Sequence, residues 1–486
     1  MSSPPPGIAV AAPSEVAADA AEQVARAGGN AVDAALAAAL VAMVNEVGIV
    51  SLSSGGFVTV QPARDSAGDG AAYTVDGWMD VPGRGLTQEQ RRAARTWDVS
   101  TEYGGGVDIT IGPGSVATHG SVAAFGEAHA RDGRLPWREV VAPAIAVARS
   151  GFRLGSASRY YLDHVRDDIF GWDDASRAAL ATDLVVVPDL VGSLEQIAAD
   201  PRAMHEGDLA DAISRDVLAR GGLVGPADLA AYRPVLRPSL TSRLGGWTLA
   251  TTPPPSVGGV VVTAILRLLE GWSPTAPDAS ARLVDAQRRV LGHRLDVLDH
   301  STDLEADAAA YLTTLGGLTE SGSTAHVSAV DTDGLACAVT VSSGYGSGMI
   351  AAGTGIWLDN CLGEQELNVR GLHASAPGSR LLSNMAPTVV RHDDGSTLAI
   401  GSPGADRITT AITQVLARYV AGASLPEAVR HSRVHVHRAG RADEVVRTET
   451  EPTMYFGGVG AALVRADGQL VAAADPRREG AVRILP

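Results

Sequence analysis

Thr324 opens the run Thr324-Ala325-His326-Val327-Ser328-Ala329, which follows the small, flexible approach Gly322-Ser323. Polar and small apolar residues alternate, which reads as a strand carrying Thr324, His326 and Ser328 on one face. A threonine hydroxyl is a poor nucleophile without a base beside it. A backbone cut immediately before Thr324 releases an α-amine that serves as that base, so one residue supplies both the attacking oxygen and the proton acceptor. No G-x-S-x-G elbow occurs, and a Ser-His-Asp triad of that kind is not indicated. Threonine is favoured in strands generally, so the run by itself reads as a structural strand.

Other chemistries are narrowed by what the 486 residues contain. Arginine supplies the whole positive count and lysine is absent, which removes Walker-type phosphate binding and Schiff-base or pyridoxal phosphate chemistry. No cofactor is expected. The formal charge of −16, without a basic run, argues against nucleic acid and anionic membranes as partners and leaves a small molecule as the expected substrate. His435-Val436-His437, with His431 nearby, puts two imidazoles on one strand face, but no cysteine or carboxylate set lies close in sequence, so no metal is expected. Gly344 to Gly348 lacks a lysine and a following helix, and reads as a turn lining a pocket. Cys337 and Cys361 sit in separate apolar segments, as small buried hydrophobes of a reduced compartment. The start, MSSPPPGIAV, has no basic n-region or long apolar stretch, so the expected location is cytoplasmic.

The elements that must position Thr324 can be read from periodicity. Residues 11 to 44 carry two helical patterns separated by Gly28-Gly29-Asn30. Ser54 to Val60 reads as a strand, Leu86 to Gly106 as an exposed excursion, and residues 120 to 240 as mainly helical. Strand patterns return at Trp247 to Thr251 and dominate the last third: Ala325 to Val330, Leu335 to Ser342, Thr388 to Arg391, Leu398 to Ile400 and Ala461 to Arg465. A helix is expected from Arg407 to Ala421. This mixture predicts a layered α/β architecture.

Seven short blocks, in order, resemble the γ-glutamyltransferase family over nearly the whole chain. They are Gly28-Gly29-Asn30-Ala31-Val32-Asp33-Ala34-Ala35, Ser54-Gly55-Gly56-Phe57, Gly120-Ser121-Val122-Ala123, Pro226-Ala227-Asp228-Leu229-Ala230-Ala231-Tyr232, Pro253-Pro254-Pro255-Ser256 with Gly258-Gly259, Thr324-Ala325-His326, and Asp475-Pro476-Arg477-Arg478. The resemblance implies a four-layer αββα sandwich of the N-terminal-nucleophile hydrolase type, built jointly by a large subunit (1–323) and a small one (324–486). It implies cleavage between Ser323 and Thr324, with Thr324 as the catalytic nucleophile. Ser342 stands where the family has a threonine whose hydroxyl supports it. Gly401-Ser402-Pro403-Gly404-Ala405 resembles the Gly-Ser-Pro-Gly-Gly loop whose last two N–H groups form the oxyanion hole, here those of Gly404 and Ala405.

The positions that bind the glutamyl group depart from the family pattern. Trp78 takes the place of the arginine that clamps the α-carboxylate, so a planar fork becomes an apolar ring. Gly344 stands near the asparagine position, Glu364 aligns with the acidic partner of the α-amine, and Ser383-Asn384 replaces a pair of serines. Arg84, Arg380 and Arg407 are the arginines that could replace the lost clamp. Kept machinery with a changed pocket predicts an acyl donor other than glutathione. Amide hydrolysis or transfer is one outcome. Another is hydrolysis of a C–C bond beside a carbonyl, removing an oxalyl-like group from an alkylproline precursor, as implied by resemblance to homologues in the lincomycin and pyrrolobenzodiazepine pathways. A third is a non-processing binding protein on the same scaffold.

Overall fold

The computed structural model describes residues 5–64, 70–103, 106–314, 324–365, 368–404 and 406–486. Two antiparallel sheets form its centre. The first has seven strands in the order Ala481–Leu485, Ile8–Ala12, Ala325–Asp331, Ala336–Ser342, Gly55–Gln61, Tyr73–Gly77 and Val235–Pro238. The second has six, in the order Leu470–Ala473, Gly460–Val464, Thr397–Gly401, Thr388–His392, Trp247–Thr251 and Leu240–Leu244. The sheets face each other across a thin layer of small residues, among them Ala9, Ala336, Ala338, Ala399, Ala462 and Val389. Short side chains on both inner faces let the sheets approach closely.

Helices cover both outer faces, giving the expected four layers α, β, β and α. Glu15–Arg26 and Ala31–Asn45 lie against the first sheet; Val257–Leu268 and Arg407–Val420 lie against the second. All residues of Ala31–Asn45 are buried, because this helix is enclosed by the sheet and by outer helices, and it is accordingly apolar all round. The Gly28-Gly29-Asn30 break is a helix stop and restart as expected. Asn30 Oδ1 accepts the N–H groups of Val32 and Asp33, and the Asp33 carboxylate accepts the Asn30 N–H in return. The Leu86 to Gly106 excursion contains more order than expected: a short helix, Gln88–Arg92, and a strand, Trp97–Thr101, paired with Val107–Ile111. Its partner strand lies just outside the segment, so local polarity gave no sign of the pairing. No helix among the described residues is long and apolar enough to cross a membrane.

The chain's C-terminal end is tied in by a buried ionic network. Asp475 accepts from Arg433 Nη2 at 2.5 Å, Arg477 Nη1 at 2.9 Å and the Val459 N–H at 2.9 Å, while Arg477 also pairs with Glu449. These four side chains are about 1–2% exposed. Removing one partner leaves a buried charge uncompensated, which costs about 3–5 kcal/mol. Asp475→Ala is therefore expected to lower the urea-unfolding free energy by about that amount, with Asp475→Asn intermediate; a loss under 1 kcal/mol would contradict the network's role.

Candidate active site

Thr324 directly precedes Ala325–Asp331, an inner strand next to the central one of the first sheet, and is buried. Ala325 pairs with Val341, Ser342 with Gly55, and Gly56 with Gly77. Extending these registers by one residue aligns Thr324, Ser342, Gly55 and Trp78 in a single row across the sheet's end. Ser342 Oγ accepts the Gly344 N–H at 3.0 Å, which holds its hydroxyl at the turn after the strand. The alternation read from the sequence is present: Ala325, Val327 and Ala329 belong to the helix-facing core, and His326 and Ser328 point between the sheets.

His326 is not a base in this arrangement. Burial pushes its imidazole down to about 3, so the ring is neutral at pH 7. Its Nδ1 hydrogen-bonds Thr340 Oγ1 and its Nε2 hydrogen-bonds Ser328 Oγ, both at 2.8 Å, and Ser328 Oγ donates to the Gly460 carbonyl at 3.1 Å. The ring covers Gly401, where an added Cβ would lie 2.3 Å from His326 Cε1. This contact ties the strand of Thr324 to the strand that leads into Ser402-Pro403-Gly404.

In that loop Ser402 Oγ donates to the Pro403 carbonyl and accepts the Gly458 N–H. Gly404 has φ +121°, a conformation that side chains disfavour. Ala405 and Ser323 lie outside the described residues, and so does the expected Ser323–Thr324 cleavage point.

The other expected residues gather on the far side of the row. The indole of Trp78 is buried, packs on Gly55 and on Phe57 (centroids 6.3 Å apart), and donates from Nε1 to the Leu382 carbonyl at 2.8 Å. This places it next to Ser383 and Asn384. Ser383 Oγ accepts the Met385 N–H, whereas both amide atoms of Asn384, 4% exposed, are buried without a hydrogen-bond partner. Gly344 (φ +64°) leaves no room for a side chain, since a Cβ would sit 2.4 Å from Asn360 Oδ1 and 3.1 Å from Glu364 Oε1. Asn360 takes part in shaping that turn, accepting the Tyr345 N–H and donating to the Thr110 carbonyl.

The cavity that opens onto Thr324 is lined instead by residues that include Glu46, Ile49, Pro403, Gly458, Asp475 and Arg478. Trp78, Gly344, Glu364, Ser383 and Asn384 lie outside this lining. Glu46 follows a helix with no polar periodicity, and nothing in its sequence neighbourhood marks it; Arg478 lies in a block noted for family likeness alone.

Two of the three expected replacement arginines are already committed. Arg380 pairs with Asp76 at 3.2 Å and Asp80 at 2.7 Å and covers the ring of Tyr232. Arg407 pairs with Asp406 and donates to the Tyr455 carbonyl. Arg84 is exposed, and its backbone N–H is held by Asp228. The histidine pair does acquire a carboxylate that sequence proximity did not suggest: Asp406 Oδ2 lies 2.9 Å from His435 Nε2 and 3.1 Å from His437 Nδ1. The Arg407 guanidinium already balances that charge. Both cysteines are buried free thiols.

Burial pushes the Glu46 carboxyl up to about 7, against the pull of the Arg478 guanidinium. Between pH 4.5 and 7 the folded chain therefore binds a proton at Glu46 that the unfolded chain releases. The resulting stabilisation is complete below about pH 4.5 and is lost as pH rises through 7. Relative to Glu46→Gln, the wild type is expected to lose up to about 3 kcal/mol between pH 4.5 and 8. A pH-independent difference in denaturant unfolding would contradict this.

A family profile described as gamma-glutamyltranspeptidase matches residues 17–314 and 298–485. The glutathione hydrolase proenzyme of Pseudomonas aeruginosa is 32% identical over 481 residues, covering 88% of this chain and 83% of that relative. The acylase ACY 1 proenzyme of Pseudomonas sp. (strain SE83) is 28% identical, covering 94% and 90%. The crystal structure of cephalosporin acylase from Bacillus halodurans shares the fold, with a TM-score of 0.78 over 98% of this chain and 96% of that one at 22% identity. The chain belongs to the γ-glutamyltranspeptidase family and is an enzyme of its hydrolase and acyltransferase class, on the αββα fold of N-terminal-nucleophile hydrolases.

Proposed function

We propose that the chain cleaves itself before Thr324 and that the freed Thr324 hydrolyses or transfers the acyl group of an amide that is not a γ-glutamyl compound. In the precursor, Thr324 Oγ1 attacks the Ser323 carbonyl carbon and the Ser323–Thr324 C–N bond breaks, its nitrogen taking the hydroxyl proton to become the Thr324 α-amine; water then hydrolyses the ester, freeing the Ser323 carboxylate and the Thr324 hydroxyl. That amine then takes the Oγ1 proton as the oxygen attacks the substrate carbonyl. The N–H groups of Gly404 and Ala405 receive the oxyanion, and Ser342 orients the nucleophile from across the strand pair. Collapse of the tetrahedral intermediate returns the proton to the leaving amine, and water or an amine takes the acyl group. The proenzyme names of the relatives support a cleaved precursor; in this reading its two subunits are 1–323 and 324–486.

The observation that carries the substrate reading is Trp78, buried at the end of the nucleophile's row and bonded to Leu382, where an arginine would grip a carboxylate. Gly344 adds to it, because no asparagine side chain fits there. Ser383 and Asn384 adjoin Leu382 beside the indole and Glu364 backs Gly344, so the positions assigned to glutamyl binding are packed closed. The same observation favours a second reading: attack on a ketone carbonyl forms the same oxyanion, so C–C hydrolysis that removes an oxalyl-like group, in natural-product biosynthesis, would use this machinery too.

Losing a bidentate clamp costs a few kcal/mol, about a hundredfold or more in rate. On γ-glutamyl-p-nitroanilide the purified protein is expected to release p-nitroaniline at least about a hundredfold more slowly than a glutathione hydrolase. Thr324→Ala is expected to remain one full-length band on denaturing gels. Robust p-nitroaniline release would refute the changed specificity; normal cleavage of Thr324→Ala would refute the nucleophile and favour a binding role.

A further inference from the structure

A second cleft, of about 420 Å³, is lined by Tyr103, Tyr160, Tyr455 and Phe456 together with Arg407, Arg447 and Arg478. Its size suits a small molecule. Three cations and no carboxylate line it, in a chain whose net charge is −16. Arg407 is neutralised by Asp406. Arg447 and Arg478 have no ion-pair partner among the described residues, and Arg478 Nε is buried without a hydrogen-bond acceptor. An anion in the cleft would give the Arg447 and Arg478 guanidinium groups the charged partner they lack among the described residues.

Shape adds to charge. The guanidinium carbons of Arg407 and Arg447 lie 4.4 Å and 4.7 Å from the centroid of the Tyr455 ring, so cations and an aromatic face are presented together. Tyr160 is 41% exposed, an aromatic surface available to a ligand. Arg478 also lines the Thr324 cavity, its aliphatic stem packed on Gly458, so one side chain borders both spaces.

We infer that this cleft binds the carboxylate of a small organic acid between Arg447 and Arg478, with the acid's apolar or aromatic body against the tyrosines, and so selects the substrate presented to Thr324. The inference rests on the nucleophile reading above only in its last clause. It moves carboxylate recognition from the place filled by Trp78 to a cleft that shares Arg478 with the Thr324 cavity. An organic acid fits better than inorganic phosphate because half of the lining is apolar or aromatic ring surface, which phosphate does not use.

Calorimetric titration of the purified protein with 3-phenylpropionate, its neutral amide and inorganic phosphate tests this. The carboxylate is expected to bind about tenfold or more tightly than either of the others, and less tightly as salt is raised. Arg447→Gln and Arg478→Gln are each expected to weaken carboxylate binding about tenfold while leaving amide binding in place, which also reports that the cleft is folded. Equal affinity for carboxylate and amide, phosphate binding as tightly as the carboxylate, or unchanged affinity in both variants would overturn the assignment. Gels run on the same preparation separate the two readings. Cleavage at Thr324 without carboxylate binding overturns the cleft alone; carboxylate binding by a chain that never cleaves supports the cleft and overturns the nucleophile.

Discussion

The site depends on one contact between the two sheets, the imidazole of His326 lying over Gly401. His326 belongs to the strand that Thr324 precedes, and Gly401 ends the strand that leads into the Pro403-Gly404 turn. The ring is neutral because it is buried, and both of its nitrogens are occupied by hydroxyl groups of its own sheet, Thr340 and Ser328. Ser328 reaches the Gly460 carbonyl of the opposite sheet, so a hydrogen bond accompanies the packing. Any side chain at position 401 would force the ring or the strand to move. Because interiors are close-packed, that displacement would pass to the Ser402-Pro403-Gly404 turn, the place proposed for the oxyanion hole.

The alanine-rich layer between the sheets serves the same end. Large residues there would separate the sheets and part Thr324 from the turn. Bulk is instead placed outside, in the wholly buried helix Ala31–Asn45 and the helices that cover it. The buried Arg433, Asp475, Arg477 and Glu449 network holds the remaining wall of the Thr324 cavity, since Asp475 lines that cavity and also fixes the Val459 N–H.

How much of this was legible in the sequence depended on whether the signal was local. The strand at Thr324 was readable because its two faces differ in chemistry, alanine and valine against threonine, histidine and serine. The helix break at Gly28-Gly29-Asn30 was readable because neighbouring glycines interrupt two helical patterns. Asp406 was not connected to His435, 29 residues away, because only the fold brings them together. Arg380 looked available in sequence and is consumed by Asp76 and Asp80, about 300 residues earlier. The paired strand within 86–106 was hidden because its partner begins at Val107. Glu46 and Arg478 gave no sign of sharing a cavity with Thr324, since one ends an apolar helix and the other sits near the C-terminus.

The central claim is that the chain's chemistry begins with an amine and a hydroxyl on the same residue, Thr324. Intact mass and N-terminal residue determination on the purified, active protein test it most directly. Two fragments that stay associated are expected, the smaller beginning at Thr324. A single full-length mass in a preparation that turns over an acyl substrate, or a new N-terminus at any other residue, would contradict it.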